Sequence, residues 1–415
     1  MSASNFTLSR SELGFAQVQS AFGAIPNSGG TATVGNSNAF RLIKMVLDPI
    51  VGTITRQDKT GSRSRTPGTF GRMNGKWSME ASMAPNGTAG VAPDHDPFLQ
   101  GLFGHVPVLG SGTATLTAAT AAAPIVCTTS GAHGLTDMQA TFISGCDNLA
   151  ANGACLVHVT DGTHFEIVGS DGTGQTVGTT GTVSKAVVKY ALDDTIIPFC
   201  AWSFRQPSTI DQRVAFDCVV NTATFNLGQD GAATFSMDGE AAWVLSKNRF
   251  ANVAVAAQKG GLSAFPSQPS TPVTNGGIIA GFTGNALFKG AKLAGLRTAS
   301  VNIGPANAPV KDTFGSFIPT GAEGDVRNVT TQFSIYEDDS TAFKDLCQAA
   351  EDKTAIETVY QIGTVAGSTV ILHCQGVQLI PPSREEQRRY IANFPAAPCN
   401  GSSLTAKNEV TMWIC

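Results

Sequence analysis

Ten consecutive residues, Asn74–Met83, alternate in polarity without a break. Trp77, Met79, Ala81 and Met83 fall on one side, and Lys76, Ser78, Glu80 and Ser82 on the other. A period of two places one buried row and one wet row on a β-strand, and the strand belongs in an antiparallel sheet with one solvated face. The pattern recurs where Val329, Thr331, Phe333 and Ile335 alternate with Thr330, Gln332, Ser334 and Tyr336. Each alternating strand leads into a short amphipathic helix. In the first copy Asp96 reads as N-cap and Pro97 as the first helical residue. Phe98, Leu99, Leu102 and Phe103 then form the apolar stripe, and Gly104 ends the helix. In the second, Asp338-Asp339-Ser340 caps a stripe of Ala342, Phe343, Leu346, Cys347 and Ala350. A Gly/Arg-containing loop precedes each strand, Arg56–Arg72 and Gly315–Arg327, and further strands follow each helix. Residue identity between the copies is slight, so the repeat is one of pattern.

Composition agrees with many short strands. Charged residues are 14% and Gly occupies 45 positions, which points away from long helices and coiled coils, while 42% hydrophobic content excludes a disordered or collagen-like chain. The net charge of -4 excludes a protein whose whole surface grips nucleic acid. A weakly charged surface suits a protein that buries much of itself in an assembly. The N-terminus lacks the charged start and apolar run of a signal peptide. No stretch approaches the roughly 18 apolar residues of a membrane helix. Nine cysteines occur without any C-x-x-C spacing. Buried thiols in a reducing cytoplasm are expected, rather than a Cys146–Cys155 staple.

The expected division is an N-terminal arm over 1–39, a first domain over 40–110 and 185–245, and an insert over 111–184. A Gly/Pro/Ser-rich linker or arm over 246–291 and a second domain over 292–415 complete it. The insert reads as a small all-β module, because strands of four or five residues alternate with Gly turns. Gly228-Gln-Asp-Gly231 separates two alternating runs as a hairpin turn, and Glu409–Cys415 closes the chain as a strand.

No catalytic constellation stands out, and no cofactor or metal is expected. Asp94-His95-Asp96 reads as a solvated helix start, and His158 and His164 as surface residues. Gly284–Gly290 lacks the G-K-[ST] ending of a phosphate loop. Two basic runs remain. Arg56, Lys59, Arg63, Arg65 and Arg72 lie in a Gly/Ser/Thr loop, and Arg384, Arg388 and Arg389 form the second run. Both are expected to meet acidic patches on a neighbouring subunit, since the interleaved aromatics of a single-strand platform are missing.

Arg63-Ser-Arg65, Pro67-Gly68, Gly75-Lys-Trp-Ser-Met-Glu80 and Asp94-His-Asp-Pro-Phe-Leu99 resemble the first domain of tail tube proteins of long, non-contractile-tailed bacteriophages. Ala201-Trp-Ser-Phe-Arg205, Cys218–Phe225 and Ala233–Gly239 continue the likeness, and Arg327–Tyr336 with its helix is similar to the family's second domain. The insert resembles small β modules of other phage tail proteins. The resemblance implies a mainly β fold: two tandem tail-tube-type sandwich or barrel-forming domains, each with a short flanking helix, plus the inserted all-β domain. It implies a structural virion protein, not an enzyme, assembled in the bacterial cytoplasm into stacked rings that form the tail tube. Trimeric rings of pseudo-sixfold appearance are favoured over hexamers. Tape-measure, terminator and distal-tail proteins would be its partners, no membrane is involved, and DNA would pass through the lumen without specific binding. The Arg56–Arg72 loop would reach the adjacent ring. Lys76, Ser78, Glu80 and Ser82, with Thr330, Gln332 and Ser334, would face the lumen, where Lys76 departs from the neutral or acidic lining expected. The insert would project outwards, and deleting it should leave smoother tubes. A secreted β-rich adhesin or carbohydrate-binding protein is the alternative reading, and it calls for an export signal.

Overall fold

The computed structural model describes residues 12–28, 31–32, 34–54, 68–205, 212–228, 231–252, 262–269, 277–316, 318–386, 388–403 and 405–415. The chain is mainly β. At its centre lie β1 (Lys44–Ile54), β2 (Thr69–Ser82), β3 (Arg213–Gly228), β4 (Thr234–Ser246), β5 (Leu296–Gly304), β6 (Asn328–Tyr336), β7 (Ser383–Glu386) and β8 (Tyr390–Pro398). They form one antiparallel ladder in the order β1-β2-β4-β3-β5-β6-β8-β7. The order 1-2-4-3 is followed by 5-6-8-7. Two units of the same topology therefore join edge to edge at β3–β5. Helix α1 (Asp96–Phe103) follows β2 and α2 (Thr341–Glu351) follows β6, so each helix holds the same place in its unit.

Alternation decides which face is buried. Trp77, Met79 and Ala81 of β2 and Val329, Phe333 and Ile335 of β6 point into one core. Trp77 anchors it: its indole packs against Phe98 of α1 and Phe199, and its Nε1 donates to the Val219 and Glu240 carbonyls at 3.1 Å each. Full burial of one such ring stabilises by about 1.5–3 kcal/mol, and its N–H is satisfied as a buried indole requires.

A second sheet of seven strands covers this core. Its order is Ala291–Lys292, Asn285–Phe288, Ala355–Ile362, Val370–Gln378, Val410–Ile414, Val188–Ala191 and Val108–Leu109. The pairing of Val188–Ala191 with Val410–Ile414 ties the two units together behind the ladder, so they share one core. A branch completes the fold. The N-terminal half of β3 pairs with Phe199–Arg205, which pairs with Glu12–Val18, and Phe15, Trp202, Phe204, Phe216 and Trp243 cluster there. The residues expected as an N-terminal arm thus supply a core strand.

Residues Thr113–Ser184 form a closed six-stranded barrel around Ile125, Ile143, Val157 and Phe165. It is docked, not dangling. Ala140, Ala154 and Leu156 of the barrel pack on Leu287, Val359, Ile371 and Trp413 on the outer face of the seven-stranded sheet. Gly169, with φ +68, lets the barrel backbone approach Leu287 and the Gly290 carbonyl where a Cβ has no room.

Three expectations change. The stretch from 246 is not a simple linker: it supplies a helix (Lys247–Asn252), Leu262 to the branch core, Ile279 to the main core and a sheet strand at Asn285–Phe288. Its apolar residues are numerous enough to be drawn into packing. The α1 cap shifts by one, with His95 at N-cap and Asp96 inside the helix, because the Asp96 carboxylate is engaged by Tyr190 Oη and Gln100 Nε2 at 2.6 Å each. His95 is not solvated either; it is 5% exposed and packs on the Phe235 ring. Eight of the nine free thiols are buried and Cys347 is half-buried. Burial pushes Cys127 and Cys415 up to about 12, which keeps these thiols unreactive.

Burial lowers the His95 pKa to about 3. The unfolded chain therefore binds a proton at this side chain that the folded one refuses, and stability falls as pH drops below the usual histidine value. Between pH 6 and pH 4 this costs about 2 kcal/mol. Urea titrations at the two pH values should show that loss in the wild type and lack it in His95→Gln. Equal losses in both proteins would exclude His95 as the source.

Candidate functional site

The solvated side of the ladder is a continuous surface that crosses both units. Lys44, Glu80, Ser236, Thr224, Asn302 and Thr330 stand in register across six strands. Beside them run Ser82, Thr234, Asn226, Ser300 and Gln332. A third row holds Thr298, Ser334, Asn393 and Ser383, with Thr298 Oγ1 and Ser334 Oγ hydrogen-bonded at 2.7 Å. The two strands singled out in sequence therefore lie on one face of one sheet. Lys76, Ser78, Glu80 and Ser82 are on β2, and Thr330, Gln332 and Ser334 on β6, with β4, β3 and β5 between them.

This surface is a carpet of hydroxyls and amides. The wet positions Thr298, Ser300, Asn302, Thr330, Gln332 and Ser334 carry no charge. Lys76 sits opposite Asp48 on β1 and Glu240 on β4, so in register it lies between two carboxylates. Glu240 also pairs with Lys311 Nζ, and Arg213 Nη1 reaches Asp48 Oδ1 at 3.0 Å. Such a face wets readily and offers no basic cluster to hold a phosphate.

Among the described residues, the outer edges of β1 and β7 meet no further strand. At β1 the Leu47 carbonyl accepts from Arg213 Nη1 at 2.6 Å. β7 is exposed along its length. Its edge can be assigned atom by atom. Glu337 N donates to the Tyr390 carbonyl, so the backbone of Tyr390 faces β6 and that of Ile391 faces β7. Glu385 lies opposite Ile391, and Arg384 and Glu386 thus turn their N–H and C=O groups to the open edge.

No protein-family model matches the chain, and no curated protein matches it. Among the described residues no helix is long and apolar enough to cross a membrane, and no three His, Cys, Asp or Glu side chains gather in a way that could hold a metal. His158 and His164 each face one carboxylate at the surface, Asp137 at 2.6 Å and Asp161 at 2.9 Å.

The basic runs separate. Arg56, Lys59, Arg63 and Arg65 lie outside the described residues. Arg72 is on β2 and donates through Nη2 to the Thr313 carbonyl at 2.7 Å, bridging the base of the first loop to the second. Arg384 pairs with Glu337 at 2.8 Å, Arg389 lies over the Tyr336 ring at 5.7 Å, and Arg388 is exposed in the turn between β7 and β8. Within the chain these last two arginines and Arg384 thus flank the open edge rather than the wet face.

Reading the sequence alone misses two features. The wet positions of β3, β4 and β5 join the same face as those of β2, in keeping with the alternation of Ala223, Phe225 and Leu227. Phe314 is the second. It stands fully exposed at the end of the ribbon made by Asn307–Pro309 and Ala322–Gly324, which lies between β5 and β6 in the chain order, as residues 55–67 lie between β1 and β2. A lone Phe in a loop carries no periodic signal.

Proposed function

We propose that the chain is a tail tube subunit of a long, non-contractile phage tail, three copies of which join by their ladder edges into a ring. The observation that carries this reading is the ladder: two units of identical strand order, one polar and nearly neutral face, and two open edges. An exposed edge is an invitation to pair, and closure into a barrel removes it. β7 of one copy would pair with β1 of the next, and three copies would close a barrel of about 24 strands. Barrels of roughly 16–18 strands already enclose an aqueous channel, so the larger one leaves room for duplex DNA. The hydroxyl and amide rows would line that channel, where Lys44 and Lys76 stand in register with Glu80, Asp48 and Glu240 and leave no basic cluster to stall a polyanion. Core, second sheet and docked barrel follow outwards in that order. Tape-measure and terminator proteins would meet the ends of such a tube, and the virion tail would be its location.

Negative-stain microscopy of the purified protein, with sedimentation at increasing concentration, tests the reading. Rings or tubes with a central hole, built from multiples of three chains, are expected. Compact monomers at high concentration would remove it, and glycan binding by such monomers would favour the adhesin alternative.

A further inference from the structure

Phe314 is 101% exposed, and the ribbon that carries it is well anchored. Arg72 Nη2 donates to the Thr313 carbonyl at 2.7 Å, Thr313 and Thr320 hydroxyls bond at 2.8 Å, Ser316 Oγ donates to the Ile318 carbonyl at 2.7 Å, and Lys311 pairs with Glu240. A fully solvated aromatic ring on a backbone braced in this way is presented to a partner with part of the ordering cost already met. The partner's shape is present on the same chain. At the opposite end of the ladder a cavity of about 400 Å³ opens between Leu227, Leu296, Tyr336 and Ile362, and its charged lining residues are Lys292 and Arg297. The loop offers a complement, with Asp312 exposed two residues from Phe314.

Knob and cavity cannot meet within one chain. Asn226 and Ser82 share a row, Gly228 lies two residues beyond it, and Arg72 lies ten residues the other way. At ~3.3 Å per residue the two features are about 40 Å apart along the strands. A knob at one end and its socket at the other define a head-to-tail contact, which propagates instead of closing. We infer that Phe314 of one copy enters the Leu227–Leu296–Tyr336–Ile362 cavity of a second copy stacked end-on, and that this contact joins successive rings. The inference rests on the tube reading for its partner, a second copy of this chain, and adds the residues that hold the stack. Arg297, which already lies 5.4 Å from the Tyr336 ring centroid, and Lys292 would face Asp312.

The test compares wild type with Phe314→Ala and Ala294→Trp by electron microscopy and sedimentation. Ala294 is exposed and lines the cavity, so a Trp there fills the socket from outside without entering the core. Either change should leave rings intact and raise the concentration needed for tube growth by about 30-fold, the factor that truncating a buried aromatic anchor commonly brings. Phe314→Cys combined with Ala294→Cys should give, on oxidation of assembled protein, a ladder of covalent chain multiples that neither single variant gives. Tubes of wild-type length from Phe314→Ala, or no ladder from the double variant in assembled tubes, would overturn the inference and leave the tube reading standing. A wild type without rings would instead remove the tube reading itself.

Discussion

Arg384→Pro is expected to abolish ring formation while leaving the monomer folded, and Arg384→Ala is expected to leave rings intact. The backbone N–H of Arg384 points to the open edge of β7, since that of Glu385 faces β8. Proline therefore removes an outward donor and no bond of the β7–β8 ladder, and an edge strand tolerates it. In a closed ring that same donor sits in the middle of a subunit seam, where proline leaves a buried acceptor unpaired at about 1–3 kcal/mol and its ring keeps the incoming strand at a distance. On the tube reading the seam would repeat at every subunit, so the loss would multiply around the ring. Alanine separates backbone from side chain. It removes the 2.8 Å pair with Glu337, a half-exposed contact worth about 0–1 kcal/mol, and keeps the N–H. Sedimentation velocity distinguishes ring from monomer, and thermal unfolding reports the fold. Rings from Arg384→Pro at wild-type concentrations would show that β7 is not the seam. Loss of rings in both variants would place the role in the guanidinium.

What the sequence makes legible here is local and periodic. Trp77, Met79 and Ala81 announce a buried row, and Ser340 announces a helix start that its Oγ makes good by accepting from Phe343 N at 3.1 Å. Long-range pairing leaves no such mark. Nothing in Val188–Ala191 says that its neighbour is Val410–Ile414, more than 200 residues away, or that the two units share a core. The His95 triplet misleads for a related reason. A polar trio at a helix start reads as solvated until Phe235, from a distant strand, covers its middle member. The wet face is legible in part, because alternation gives the row but not the face it joins. The ends of the ladder are not legible at all, since an edge is defined by the strand that is missing beside it.

Deleting Ser111–Ser184 is expected to give insoluble protein, not the smoother tubes that a detachable decoration would leave. The barrel covers Leu287, Val359, Ile371 and Trp413, which are 7%, 4%, 0% and 5% exposed. Stripping it uncovers these four side chains on adjacent strands, at about 1.5–3 kcal/mol each. The sum is an upper bound, because the unfolded chain already shelters part of this surface. It is nevertheless comparable to the roughly 5–15 kcal/mol that holds a domain folded, and the bared face is a flat apolar sheet of the kind that aggregates. Loop closure is a minor obstacle, since Gly110 and Val187 already lie in contact through the 2.7 Å bond from Gly110 N to the Val187 carbonyl. The decisive arm is a rescue. The deletion combined with Val359→Thr, Ile371→Thr and Trp413→Thr keeps β-branched residues on the strands while making the bared face polar. That protein should regain solubility and, on the tube reading, assemble into thinner tubes, as judged by soluble fraction, thermal unfolding and microscopy. A simple deletion that stays soluble, unfolds at the wild-type temperature and assembles normally would show that the barrel only decorates the sheet it touches.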